Sequence, residues 1–213
     1  MQTLPRLIVL ILSPLLLCSC IEVFQYVAVK DGVAEVSLRY TVQKSIMEMG
    51  ASFSGDEVDY SELMDGGDVL AKEFEGIEAT IDLFENDLEI GVEINARGTM
   101  DEITSLQATE VQPFFPIKHG ETYRITITGS GEPDSTGEDE MVTSFLASSK
   151  YRILVDLTDD LSEINAARFR SGLKPEEQSL INIHQYGHMM LIEFPMLIPL
   201  SNTETFEIEL YQK

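Results

Sequence analysis

Three histidines supply the only imidazoles of the chain, and His184 and His188 are four residues apart. On a helix that spacing puts two metal ligands on one face. Their neighbours Ile181, Ile183, Met189 and Leu191 read instead as two strands around a turn at Tyr186-Gly187. The pair would approach across such a turn, but no cysteine or evident acidic third ligand accompanies it, and His119 stands alone, so no metal is expected. The acidic runs Asp56-Glu57-Val58-Asp59 and Glu138-Asp139-Glu140 lack the alternating oxygen ligands and fixed glycine of a calcium loop. They read as solvated charge. No Gly-x-Ser-x-Gly elbow, phosphate-cradling glycine loop or metalloprotease helix occurs, and Gly129-Ser130-Gly131 sits in a loop without the elbow context. The expectation is a protein with no catalytic residues and no cofactor.

Apolar side chains offer binding chemistry instead. Met189 to Leu200 reads MMLIEFPMLIPL, with Glu193 its one charge and Pro195 and Pro199 limiting it to short extended pieces. Methionine and aliphatic groups fit irregular apolar shapes, so this stretch would suit a lipid-like ligand. The competing reading is a buried central strand over Gly187 to Phe194, followed by an apolar loop. Phe114 and Phe115 lie between Pro113 and Pro116, which would hold both rings as a ligand gate or as a plug over a sheet edge. The candidate lining is therefore Phe114, Phe115, Met189, Met190, Phe194 and Met196.

The first twenty residues carry a different chemistry. Arg6 and the amino terminus precede an apolar run from Leu7 to Leu17, broken by Ser13 and Pro14. It is too short to span a hydrocarbon layer about 30 Å thick and reads as a secretory signal, residues 1–19. Its end, Leu17-Cys18-Ser19-Cys20, resembles the bacterial lipobox, with Cys18 in place of the usual Ala, Ser or Thr. That resemblance implies a lipidated Cys20 as the new first residue and a membrane anchor of two or three acyl chains, which hold firmly where one binds marginally. The expected location is the bacterial cell envelope, periplasmic or surface-exposed. Ile21 rather than Asp follows the cysteine, which leaves the outer membrane open. With Cys18 removed and Cys20 acylated, no thiol is left for a disulfide, and the core must hold the fold.

Composition excludes one class of partner. The chain has 37 acidic against 14 basic side chains and a formal charge of −23. Phosphate backbones repel such a surface, so nucleic acid is not a partner.

The elements that would position these groups show in period-2 alternation. Val36, Leu38, Tyr40 and Val42 share a face, as do Ile77 to Leu83, Leu88 to Ile94, Tyr123 to Ile127 and Phe206 to Leu210 at every second residue. Lys30-Asp31-Gly32 and Glu85-Asn86-Asp87 read as hairpin turns. Helices are expected from Asp68 to Gly76, from Thr99 or Asp101 through Leu106, and from Glu138 to Ser148. Segments 50–67 and 129–139 read as surface loops. The predicted fold is α+β: one domain over residues 20–213, an antiparallel sheet of hairpins with about three helices on one face.

From Val29 to Ile103 the order of elements resembles the LppM-type domain of bacterial lipoproteins. The shared features are the Asp31-Gly32 hairpin after Cys20, an acidic stretch with a helix, Gly91-Val92 in a second hairpin, and Asp101-Glu102-Ile103. The C-terminal membrane helix of LppM is absent here. The resemblance implies an envelope-anchored domain with a lipid-binding role and assigns no residue. Composition and the relaxed lipobox are also similar to spirochaete lipoproteins. Three readings follow: a non-enzymatic lipoprotein binding a lipid-like or apolar ligand, a scaffold or adhesion lipoprotein binding another protein, and a hydrolase. An enclosed cavity would favour the first, a filled core with exposed surface the second.

Overall fold

The computed structural model describes residues 21–54, 77–105, 114–129, 146–157, 166–171, 173–201 and 205–211. The signal region with Cys20, the helix expected at Asp68 to Gly76 and both acidic runs lie outside them. So does most of the helix expected at Glu138 to Ser148, of which residues 146–148 are helical.

Strand β1 (Ile21–Lys30) turns at Asp31 and Gly32 into β2 (Val33–Gln43). Both turn residues take positive φ, 51° and 78°, the conformation a two-residue hairpin needs to match strand twist. Helix α1 (Lys44–Ser54) follows, covering residues 50–54 that read as loop. A second hairpin, β3 (Glu78–Glu85) and β4 (Glu89–Thr99), leads into α2 (Met100–Ser105). Next come β5 (Pro116–His119), β6 (Thr122–Ile127), β7 (Lys150–Asp156) and β8 (Ala166–Ser171). Then α3 (Pro175–Gln178), β9 (Asn182–Tyr186), β10 (Met189–Pro195), α4 (Leu197–Ser201) and β11 (Phe206–Tyr211) complete the order.

The strands form two sheets, in the orders β3-β4-β2-β1-β7-β10-β9 and β5-β6-β11-β8. This corrects the α+β expectation of a single antiparallel sheet covered by about three helices. Alternation shows that one face of each strand is buried but not what buries it; here the cover is a second sheet. The described helices are short, and α3 is a single turn of four residues. The large sheet is also mixed, because β1 pairs in parallel with β7, Val23 opposite Tyr151 and Val27 opposite Val155.

Both sheets contribute to one core. Val23, Val27, Leu38, Ile94, Ile153 and Ile192 from the large sheet join Tyr123, Ile125, Ile127, Phe206, Ile208 and Leu210 from the small one. The rings of Phe194 on β10 and Phe206 on β11 meet edge to face at 6.4 Å, tying one sheet to the other.

Candidate functional site

The predicted ligand-lining residues mostly meet, in the core. Phe114, Phe115, Met190 and Phe194 are buried, and the half-buried Met196 packs against the same core. Met189 faces the opposite side of the large sheet, since neighbours along a strand alternate. Phe114 lies 4.9 Å from the ring of Tyr151 and 6.2 Å from that of Phe194, and Tyr151 stacks on Phe194 at 5.3 Å. The three rings thus contact one another inside the core. The stretch from Met189 to Phe194 is a central strand, flanked by β7 and β9.

A residue that the sequence reading passed over organises this cluster. Gln25 is fully buried among inward-facing Val23, Val27 and Val29 of β1. Its amide donates to the Phe114 carbonyl (2.8 Å), while the Phe114 N–H donates to Gln25 Oε1 (2.9 Å). The Tyr151 hydroxyl donates to the same oxygen at 2.7 Å. Burial, with Tyr40 adding to it, pushes the Tyr151 phenol well above its ordinary value. It stays a neutral donor. The signal in the sequence is the single polar residue at an inward position of an otherwise apolar alternation.

The histidines stay apart in role. His184 lies on β9, 6.5 Å from the Tyr186 ring, while His188 sits in the β9–β10 turn, its Nε2 3.7 Å from Asp156 Oδ2. His119 ends β5. Among the described residues no group of three His, Cys, Asp or Glu side chains is placed to hold a metal ion.

The outer face of the large sheet is indented and carries polar groups over β1 to β4. One groove of about 350 Å³ runs over Tyr26, Glu35, Ser37, Thr80, Asn95 and Arg97. It shares Tyr26, Glu35 and Arg97 with a second of about 470 Å³ that reaches Asp156. Burial and the carboxylates of Asp156 and Glu35 raise the Tyr26 phenol above its usual value. Beside the grooves, β3 pairs on one side only among the described residues, with β4. That edge alternates exposed Glu78, Thr80 and Asp82 with half-buried Ala79 and Ile81. A third cleft, about 460 Å³, opens between the sheets over Val29, Met100, Ile117 and Tyr123.

Such a surface can pair backbone with an added strand and offer carboxylates to cationic side chains. No family model matches the chain, and no curated protein matches it.

Proposed function

We propose that the chain is a non-enzymatic cell-envelope lipoprotein, anchored through Cys20, whose β-sandwich binds another protein. The observation that carries this reading is the burial of the expected lining: Phe114, Phe115, Met190 and Phe194 all belong to one core where an apolar ligand was expected. This favours binding at the surface, where among the described residues the eight-residue β3 pairs on one side only. Its Glu78 and Asp82 favour a basic, extended segment of the partner, held by main-chain bonds and charge together.

The test is photocrosslinking in intact cells from probes at Thr80 and, as a control, at Thr126 on the outer side of β6. An adduct from Thr80 alone, weakened by Asp82→Lys in a folded protein, is the expected result. Equal adducts at both positions, or none, would sink the edge-binding reading.

A second reading, a lipid-like or apolar ligand, draws support from the cleft over Val29, Met100, Ile117 and Tyr123. Native mass spectrometry with envelope lipids separates the two. A stoichiometric adduct weakened by Met100→Asp favours the ligand, and a clean apo mass favours the protein partner.

A further inference from the structure

The first described residue, Ile21, is already inside the sheet. It pairs with Val42 of β2, and its N–H donates to Ser149 Oγ at 3.3 Å. Cys20 is the residue before it. Consecutive Cα atoms lie about 3.8 Å apart, so a lipid on Cys20 leaves no linker between acyl chains and domain. An anchored chain of this kind cannot swing away on a flexible tether. One particular end of the sandwich must meet the headgroups.

The groups at that end suit the contact. Lys150 and Pro195 flank the start of β1, and the Met196 N–H donates to the Ser149 carbonyl at 3.0 Å. On the other side β2 runs into α1, and the Lys44 N–H donates to the carbonyl of Leu88 in the β3–β4 turn at 2.9 Å. Leu88 is 77% exposed, the most open of the large apolar side chains described. Its turn is held rigid by the Asn86 side chain, which accepts from the Leu88 and Glu89 N–H groups at 2.8 and 3.0 Å. The leucine is thus displayed by design of the turn, at the level where β1 begins.

Charge at this end is mostly paired, with Asp87 beside Leu88 in the turn. The protein carries −23 overall, which repels anionic lipid. At this end, however, the scarce cations are spent on local acids. Arg152 pairs with Glu22 and Glu193, Lys150 with Glu193, Lys44 with Glu85 and Arg39 with Glu89.

We infer that the β1-start end of the sandwich, tipped by Leu88, is a membrane seat: it rests in the headgroup layer of the bilayer that holds the Cys20 lipid, with β1 rising from it. This rests on the lipidation of Cys20 proposed above. The far end of β1, at Lys30, then stands about 30 Å from the surface, at 3.3 Å per residue. The β3 edge and the outer grooves are held upright, facing along the membrane plane rather than into it.

The test uses the full, lipidated chain in phosphatidylcholine–phosphatidylglycerol vesicles. An environment-sensitive fluorophore is placed on Leu88→Cys or, as control, Lys30→Cys; the mature chain has no other free thiol. Intact mass and flotation report the anchor, and quenching by lipid spin-labelled high on its acyl chain reports the seat. Loss of emission and a blue shift at position 88, with position 30 unchanged, is the expected result. Flotation without quenching at 88, or with equal quenching at both, overturns the seat and leaves the anchor standing. An unlipidated mass with no flotation removes the anchor itself, and the seat falls with it.

Discussion

At the residue scale, Gln25 sets the character of the interior. A fully buried amide is unfavourable unless each of its groups has a partner, and here Phe114 and Tyr151 supply them. The exchange also satisfies the backbone of Phe114, which lies outside any strand. Gln25→Leu keeps the volume but strands the Phe114 N–H and carbonyl in the core. A loss of roughly 2–4 kcal/mol in urea unfolding is expected, against about 1 kcal/mol for Tyr151→Phe, which removes one bond and leaves the clasp. Equal losses for the two variants would show that the amide does not fix Phe114. The sequence made Phe114 and Phe115 conspicuous, and the alternation of β10 placed Met190 and Phe194 on one face. It did not show that Gln25 would clasp the backbone of Phe114. That bond joins residues 89 apart, beyond any local pattern.

The buried carboxylate of Glu209 is a second feature that alternation conceals. It lies on the outward side of β11 yet is only 2% exposed. Arg168 pairs with it, Arg124 Nε approaches to 3.5 Å and Thr122 donates at 3.3 Å. Reading it as one more solvated acid follows from the sequence alone; its neighbours come from two other strands, β6 and β8.

At the element scale, what was legible was whatever a short stretch decides for itself. The hairpin at Asp31-Gly32 and the turn at Asn86 are closed by their own residues. Helix α2 is capped by Thr99, one of the two predicted starts, through a reciprocal pair of bonds. The Thr99 N–H donates to Glu102 Oε2 at 2.8 Å, and the Glu102 N–H donates to Thr99 Oγ1 at 3.3 Å. The backbone and hydroxyl bonds from Thr99 hold the Glu102 carboxyl below its ordinary value near 4.5. A lowered pKa means that the ionised form is favoured in the fold. The cap is therefore fully made above the ordinary glutamate value and is lost as pH falls through the lower folded one. The Thr99 amide shift in NMR should titrate with a midpoint below 4.5, and Glu102→Gln should abolish that step. A midpoint at or above the ordinary value would refute the cap.

Glycine 91 makes the same point about pairs of elements. A Cβ built there would stand 2.6 Å from Cζ of Phe84 and would also strike the Tyr40 carbonyl. Phe84 in turn lies under the Arg39 guanidinium, 4.4 Å from ring centre to Cζ. Gly91→Ala must push β3 or β2 aside, and a loss of about 1–3 kcal/mol in chemical denaturation is expected. A neutral result would mean that β2 and β4 separate there without cost, as well as the ring moving aside. By contrast, β8 was invisible in the sequence. Its pattern Ala166–Ser171 carries arginines at 168 and 170, and its place depends on pairing with β11 some forty residues later.

At the scale of the whole molecule, the decisive contact is the parallel pairing of β1 with β7. It joins Glu22 to Lys150 and completes the large sheet by closing a very long loop. No turn signal announces such a pair, so sequence reading favoured a run of hairpins and an all-antiparallel sheet. The two sheets also cannot be told apart by pattern, since strands of both alternate alike. What couples them is the shared core, with Phe194 at the junction between Tyr151, Phe114 and Phe206. If that core is one unit, truncating Phe194 weakens both sheets together. Phe194→Ala is expected to lower stability by about 3–5 kcal/mol, the usual range for a buried phenylalanine. Hydrogen exchange should then show the amides of Val36 in the large sheet and Ile125 in the small one losing protection by the same amount. Loss at Ile125 with Val36 unchanged would mean that the small sheet opens alone. The seat at the β1 start would then support a stable seven-stranded platform with a detachable cover, rather than one cooperative sandwich.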